Sequence, residues 1–350
     1  MNIGIIDADL LDNKARFPNL ALMKISSYWK NKGHHTELIE WDKCYNYDKI
    51  FVSKVFDYTK TPQEYLNMSN VYYGGTGFFF DKAKPLPNKV EHIKPDYKLY
   101  SAIDKKLKYY HDTSIGFTTR GCFRQCKFCV NRNYTKVEAW SPIEEFYDQS
   151  HKRIVLLDDN ILGYDKRIDI LNTLIDINKP FEFKQGMDIR LMSPDVAKRL
   201  SSSKYSGDFI FAFDDWDERI PIVKGLTIWN KFKNNKNTKL YLLVGYKNNN
   251  VKDVVEAFKR IRILMYFRCI PYIMRYSGWD NGEMRGMYIN LGRWCNQPNF
   301  FKKLSFREFI EKHPKKSSTQ KYANEFESKY PDIADEFFDL KFGEVDELYL

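Results

Sequence analysis

Thr118-Thr-Arg-Gly-Cys-Phe-Arg-Gln-Cys-Lys-Phe-Cys129 is the stretch from which the rest of the chain is read. Three of the six cysteines in 350 residues stand here as CxxxCxxC, at Cys122, Cys126 and Cys129. Such close spacing among so few cysteines asks for a thiolate chemistry. A structural zinc site wants four ligands closed tetrahedrally. A 4Fe–4S cluster held by three thiolates keeps one iron open. No fourth cysteine lies nearby, and the closest histidines, His111 and His151, are not at a zinc-ligand spacing. The ligand count favours a cluster.

CxxxCxFC preceded by Thr-Arg-Gly resembles the signature of the radical S-adenosylmethionine (SAM) enzymes. The resemblance implies a 4Fe–4S cluster whose open iron is chelated by SAM. It further implies reductive cleavage of SAM to a 5′-deoxyadenosyl radical that abstracts hydrogen from a substrate. Phe128, the aromatic before the third cysteine, resembles the residue that packs near the adenine. No catalytic residue is assigned to the substrate step.

Outward from the cysteines the chain reads as α/β. Candidate strands begin at Arg153, Phe181, Phe209, Lys239 and Arg268, at intervals of 28, 28, 30 and 29 residues. Each interval suits one strand, one helix and two loops. Ser141-Pro-Ile-Glu144 and Ser193-Pro194 predict helix starts, the first as a capping box. With Ser114–Thr118 the strands make six βα units over 111–290, matching the partial (βα)6, TIM-like barrel of the radical SAM family.

Upstream, Met1–Asp7, Thr36–Trp41, Lys49–Val55 and Val71–Gly77 predict strands, with a helix over Pro18–Lys32. They make a small parallel α/β domain, flavodoxin- or Rossmann-like, over residues 1–85. Residues 86–110 form a connector with little periodicity. This arrangement resembles the cobalamin-binding-like domain that precedes the barrel in one branch of the family, and the resemblance covers most of residues 1–300. No Asp-x-His-x-x-Gly is present and His34-His35 reads as a polar turn, so the fold is implied more strongly than bound cobalamin.

Residues 291–350 predict a helical appendix, opened by the capping box Ser305-Phe-Arg-Glu308. Its charge is segregated: Lys302–Lys321 carries seven Lys/Arg against two acids, and Tyr330–Leu350 seven acids against one Lys. Cys44, Cys269 and Cys295 read as buried small hydrophobes. They are too few for the extra cysteine sets of methylthiotransferases or peptide-modifying members of the family.

Functional faces of α/β barrels lie at the carboxyl ends of the strands. There stand Asp158-Asp159-Asn160, Gln185-Gly-Met-Asp188-Ile-Arg190, Asp214-Asp215 and Gly245. The resemblance puts the SAM amino group at the second strand end, where the family's usual Gly-Gly-Glu is replaced by Asp158, Asp159 and Asn160. Asp188 and Arg190 resemble ribose and carboxylate partners of SAM, since an arginine can clamp a carboxylate through two hydrogen bonds. Gly245 stands where close backbone approach to the adenine needs a missing side chain.

The net charge is +10 and the pI about 9.0, with 43% hydrophobic and 16% aromatic residues. No apolar run approaches the roughly 18 residues of a membrane span, so no membrane partner is expected and the chain reads as cytoplasmic, where thiolates stay reduced. Arg120, Arg124, Lys127, Arg132 and Lys136 flank the cysteines and read as a solvated loop, or as a face for an anionic substrate or an acidic electron donor. A reduced flavodoxin or ferredoxin is implied as donor, and a nucleic acid, a peptide or another large anionic molecule as substrate. Two alternatives stay open: a non-catalytic zinc-knob nucleic-acid-binding protein, and a degenerate scaffold that binds a cluster without SAM.

Overall fold

The computed structural model describes residues 1–101, 110–247 and 249–350, so residues 102–109 of the expected connector lie outside the described residues. The chain is mixed α/β with parallel sheets and divides into two compact units. The first comprises Met1–Tyr164 and Thr173–Lys184, the second Asp165–Asn172 and Gln185–Leu350. The division falls inside the segment 111–290.

In the first unit, β1 (Asn2–Asp7), β2 (His35–Leu38), β3 (Lys49–Ser53) and β4 (Val71–Gly74) form a parallel sheet in the order β2-β1-β3-β4. Ile3, Ile5 and Ile6 of β1 are fully buried. A central parallel strand covered on both faces needs such a continuous apolar run. The helix Leu20–Asn31 is capped by Asn19, whose side chain accepts from the Leu22 N–H. The expected strand Thr36–Trp41 stops at Leu38, and Trp41–Asn46 turns into a 3-10 helix that buries Cys44.

A second sheet in this unit joins β5 (Thr113–Gly116), β8 (Arg153–Leu156) and β9 (Phe181–Phe183), all parallel. The two layers are tied by one small core, in which Leu20 packs with Ile115 and Val155. Tyr97 reinforces the junction: its hydroxyl donates to the Phe146 carbonyl at 2.5 Å and accepts the Ile115 N–H at 3.1 Å. Between β5 and β8 lie the short antiparallel β6 (Thr119–Arg120) and β7 (Glu138–Ala139). Ser141 does not cap a helix. The backbone N–H of Trp140 is drawn to the Thr118 carbonyl at 2.8 Å, and the helix begins only at Ile143 and ends at Phe146.

The second unit holds β10 (Phe209–Ala212), β11 (Thr238–Val244) and β12 (Ile270–Arg275), parallel and in chain order. Here the Ser193-Pro194 start is observed, with the Ser193 hydroxyl accepting the Val196 N–H. Helix Val251–Tyr266 packs its Phe258 against Phe306, Phe337 and Phe338 of the C-terminal helices. The Ser305–Glu308 capping box is complete. Basic and acidic stretches meet in this appendix: Arg307 bonds Asp339 at 3.0 Å, and Lys341 bonds Glu308 at 2.6 Å. Among the described residues no helix is long and apolar enough to cross a membrane.

Candidate functional site

Strands β6 and β7 close the base of a loop, residues 121–137, that carries all three clustered cysteines. Gly121 opens it with φ +94°, and a Cβ there would stand 2.4 Å from the Lys136 carbonyl oxygen. Only glycine allows so close a closure. The Cys129 N–H donates to the Cys126 carbonyl at 2.9 Å, and Gln125 before that turn takes a left-handed φ of 51°. Cys122, Cys126 and Cys129 are all partly exposed, as is Phe128.

Two amide donors address the sulfurs. The Asn160 side chain donates from Nδ2 to Cys122 Sγ at 3.4 Å, and the Asn131 backbone N–H donates to Cys129 Sγ at 3.4 Å. Asn160 is 3% exposed and its Oδ1 is buried with no hydrogen-bond partner among the described residues. A buried amide oxygen without a partner carries a desolvation cost that a bound ligand's donor would remove.

The neighbouring carboxylates are engaged by the loop itself. Asp158 is 2% exposed and accepts four hydrogen bonds: Thr118 N and Oγ1 at 3.2 and 2.5 Å, Thr119 N and Oγ1 at 2.6 and 2.7 Å. Burial raises its pKa, against the lowering effect of those threonines. Asp159 accepts from Gly121 N at 2.7 Å and Asn131 Nδ2 at 2.8 Å, and faces Arg120 Nε at 3.3 Å. Both aspartates therefore hold the Thr118–Gly121 entry to the cysteine loop. In place of two free carboxylates for an amino group, the strand end offers one amide oxygen, that of Asn160.

The basic flank is also largely committed. Arg132 bonds Asp81 at 2.7 Å, Lys136 bonds Glu138 at 2.7 Å, and Arg120 lies over the Phe117 ring beside Asp159. Arg124 lies over Phe123, and Lys127 is exposed. His151, buried, meets Ser114 Oγ at 3.1 Å through Nδ1, and burial lowers its pKa.

Asp188, Arg190 and Gly245 belong to the second unit. Arg190 clamps Asp188 through Nε at 2.6 Å and a terminal nitrogen at 3.0 Å, and also bonds Glu218. The two residues expected to divide ribose and carboxylate are thus paired with each other. Gly245 has φ +74°, and a Cβ on it would lie 2.8 Å from the Trp279 Cβ. Its N–H donates to Asp253 at 2.7 Å. Packing within the chain accounts for this glycine.

Sequence reading included Thr119 in the Thr-Arg-Gly flank but missed Thr118, Asn131 and Asp81 as parts of the site. Thr118 directly precedes the Thr-Arg-Gly flank and Asn131 follows Cys129 by two residues, so their positions were the available signal. Among the described residues no group of three or more His, Cys, Asp or Glu side chains is arranged to hold a metal ion, and this includes the loop cysteines. The chain matches no protein-family model and no curated protein.

Proposed function

We propose that the chain is a radical SAM enzyme in which Cys122, Cys126 and Cys129 hold a 4Fe–4S cluster. The observation that carries this reading is the cysteine loop with its amide supports: three partly exposed thiols on one loop, amide hydrogen bonds to the Cys122 and Cys129 sulfurs, and an Asn160 oxygen that has no partner among the described residues. The donor set suits three-thiolate ligation, in which hydrogen bonds to sulfur tune the cluster's potential. To hold the cluster the three sulfurs would have to converge, since among the described residues they are not arranged to hold a metal ion.

When bound, the cluster supplies the electron that cleaves SAM to methionine and a 5′-deoxyadenosyl radical. The chain's own residues do the positioning. Asp158 fixes Thr118 and Thr119, Asp159 fixes Gly121 and Asn131, and Asn160 places an acceptor oxygen beside Cys122. That oxygen suits the SAM amino group better than either engaged aspartate. Phe128, half-buried on the loop, would pack near the adenine. Asp188, Arg190 and Gly245 remain proposed SAM contacts on resemblance alone. The same reading takes the six strands β5 and β8–β12 as those of one partial (βα)6 barrel behind a Rossmann-like N-terminal domain. It also implies a reduced flavodoxin or ferredoxin as donor in a cytoplasmic setting.

Anaerobic reconstitution tests the ligand set. Iron and sulfide near four per chain support it, whereas stoichiometric zinc with no iron uptake supports a zinc-knob binding protein.

A further inference from the structure

We propose that the first unit carries a separate binding site for a phosphorylated nucleoside, on the face of the N-terminal sheet that borders the cysteine loop. The site is a cavity of about 1320 Å³ within this unit, larger than a mononucleotide requires. Its walls come from helix Leu20–Asn31, β3 and β4, the segment 79–91, Phe117 and Arg120 before the cysteine loop, and Asn131 on it.

Two features define its chemistry. The first is exposed aromatic surface along the edge strand β4 and the segment that follows it. Tyr72 and Tyr73 are 49% and 46% exposed, Phe79 and Phe80 42% and 39%. Tyr73 and Phe79 lie parallel within 7°, with centroids 5.8 Å apart, and Phe51 and Tyr72 lie within 23° at 5.5 Å. Exposed rings of this kind are platforms for a planar base. The second is charge. Six cationic side chains line the cavity against two acids, Asp81 and Glu91. Both acids are already paired: Asp81 with Arg132, and buried Glu91 with Lys24 at 2.5 Å and the Trp140 indole at 2.9 Å. Burial pushes the Glu91 pKa up, but Lys24 and Trp140 beside it hold it below its ordinary value. Lys82, Lys84 and Lys89 are exposed at the rim, and the Lys49 ammonium sits 5.2 Å from the Trp29 ring and 5.8 Å from that of Tyr72. Exposed rings beside lysines that, among the described residues, are in no ion pair (Lys49, Lys82, Lys84 and Lys89) fit a base joined to phosphate. They fit SAM poorly, because its net charge is positive.

Asn131 joins the two sites. It lines the cavity, its side chain bonds Asp159, and its backbone N–H addresses Cys129 Sγ. That the bound nucleotide is also the substrate rests on the proposed radical chemistry; that it binds does not.

Calorimetry on the full chain without cluster separates the two claims. Adenosine 5′-monophosphate should bind more tightly than adenosine or inorganic phosphate, each weaker by about tenfold or more. Lys84→Glu with Lys89→Glu should weaken the monophosphate about tenfold and leave adenosine unchanged. Tyr73→Ala should weaken both by roughly tenfold. SAM should bind more weakly than the monophosphate. No binding of the monophosphate, equal binding of adenosine, indifference to both sets of substitutions, or displacement of the monophosphate by hydroxocobalamin would each overturn the assignment. Failure of SAM cleavage in the loaded protein leaves this result standing, and the reverse also holds.

Discussion

Asn160 donates its side-chain amide to Cys122 Sγ at 3.4 Å while its own oxygen, buried, has no hydrogen-bond partner among the described residues. The residue reaches from the end of β8 to the first cysteine, so one side chain can serve both a cluster sulfur and a ligand bound beside it. Asn160→Ala removes both contacts without removing a thiolate. The cluster should still assemble, its reduction potential should fall, and SAM cleavage should drop roughly 10- to 100-fold. Potentiometry and product formation on the reconstituted variant check this; an unchanged potential with unchanged cleavage would remove Asn160 from the site.

Asp158→Ala strips four hydrogen bonds from Thr118 and Thr119 and leaves those donors buried. Denaturant unfolding should show a loss of about 3 kcal/mol or more. Iron uptake should fall with it, since the loop's entry strand loses its anchor. A stable variant that loads iron normally but binds SAM poorly would return Asp158 to direct cofactor contact.

Asp7 ends β1 with a carboxyl group whose pKa burial pushes from the ordinary 3.8 to about 6, although Tyr100 donates to it at 2.7 Å. Between those values the folded chain holds a proton that the unfolded chain has released, so stability falls as pH rises from about 4 to 6. The group's share of that fall is about 3 kcal/mol. Unfolding curves across this range should decline less for Asp7→Asn than for the wild type, and parallel curves would contradict the assignment.

Gly245→Ala should destabilise the second unit by about 1–3 kcal/mol, through its positive φ and the contact with Trp279. Thermal unfolding without any ligand should already show the loss. A variant as stable as the wild type, impaired only in SAM binding, would favour an adenine contact instead.

Strand positions were legible because buried parallel strands must be apolar, as Ile3, Ile5 and Ile6 show. The cysteine loop was legible because the cysteine spacing is local. Partners across the fold were not. Asp158 meets Thr118 only because β5 and β8 pair, with Gly116 beside Leu156, a relation between residues some forty apart that no local pattern encodes. Ser141 looked like a cap, but Trp140 is held by the Thr118 carbonyl and, through its indole, by Glu91, which delays the helix. Arg190 looked available for a cofactor carboxylate, yet Asp188 stands two residues away and takes it first.

The most direct measurement is anaerobic incubation of reconstituted protein with SAM and dithionite, set beside Cys126→Ala. The wild type should form 5′-deoxyadenosine and the variant should not, because loss of one thiolate removes the cluster. Wild-type protein that loads iron yet forms no more 5′-deoxyadenosine than Cys126→Ala would contradict a radical SAM function.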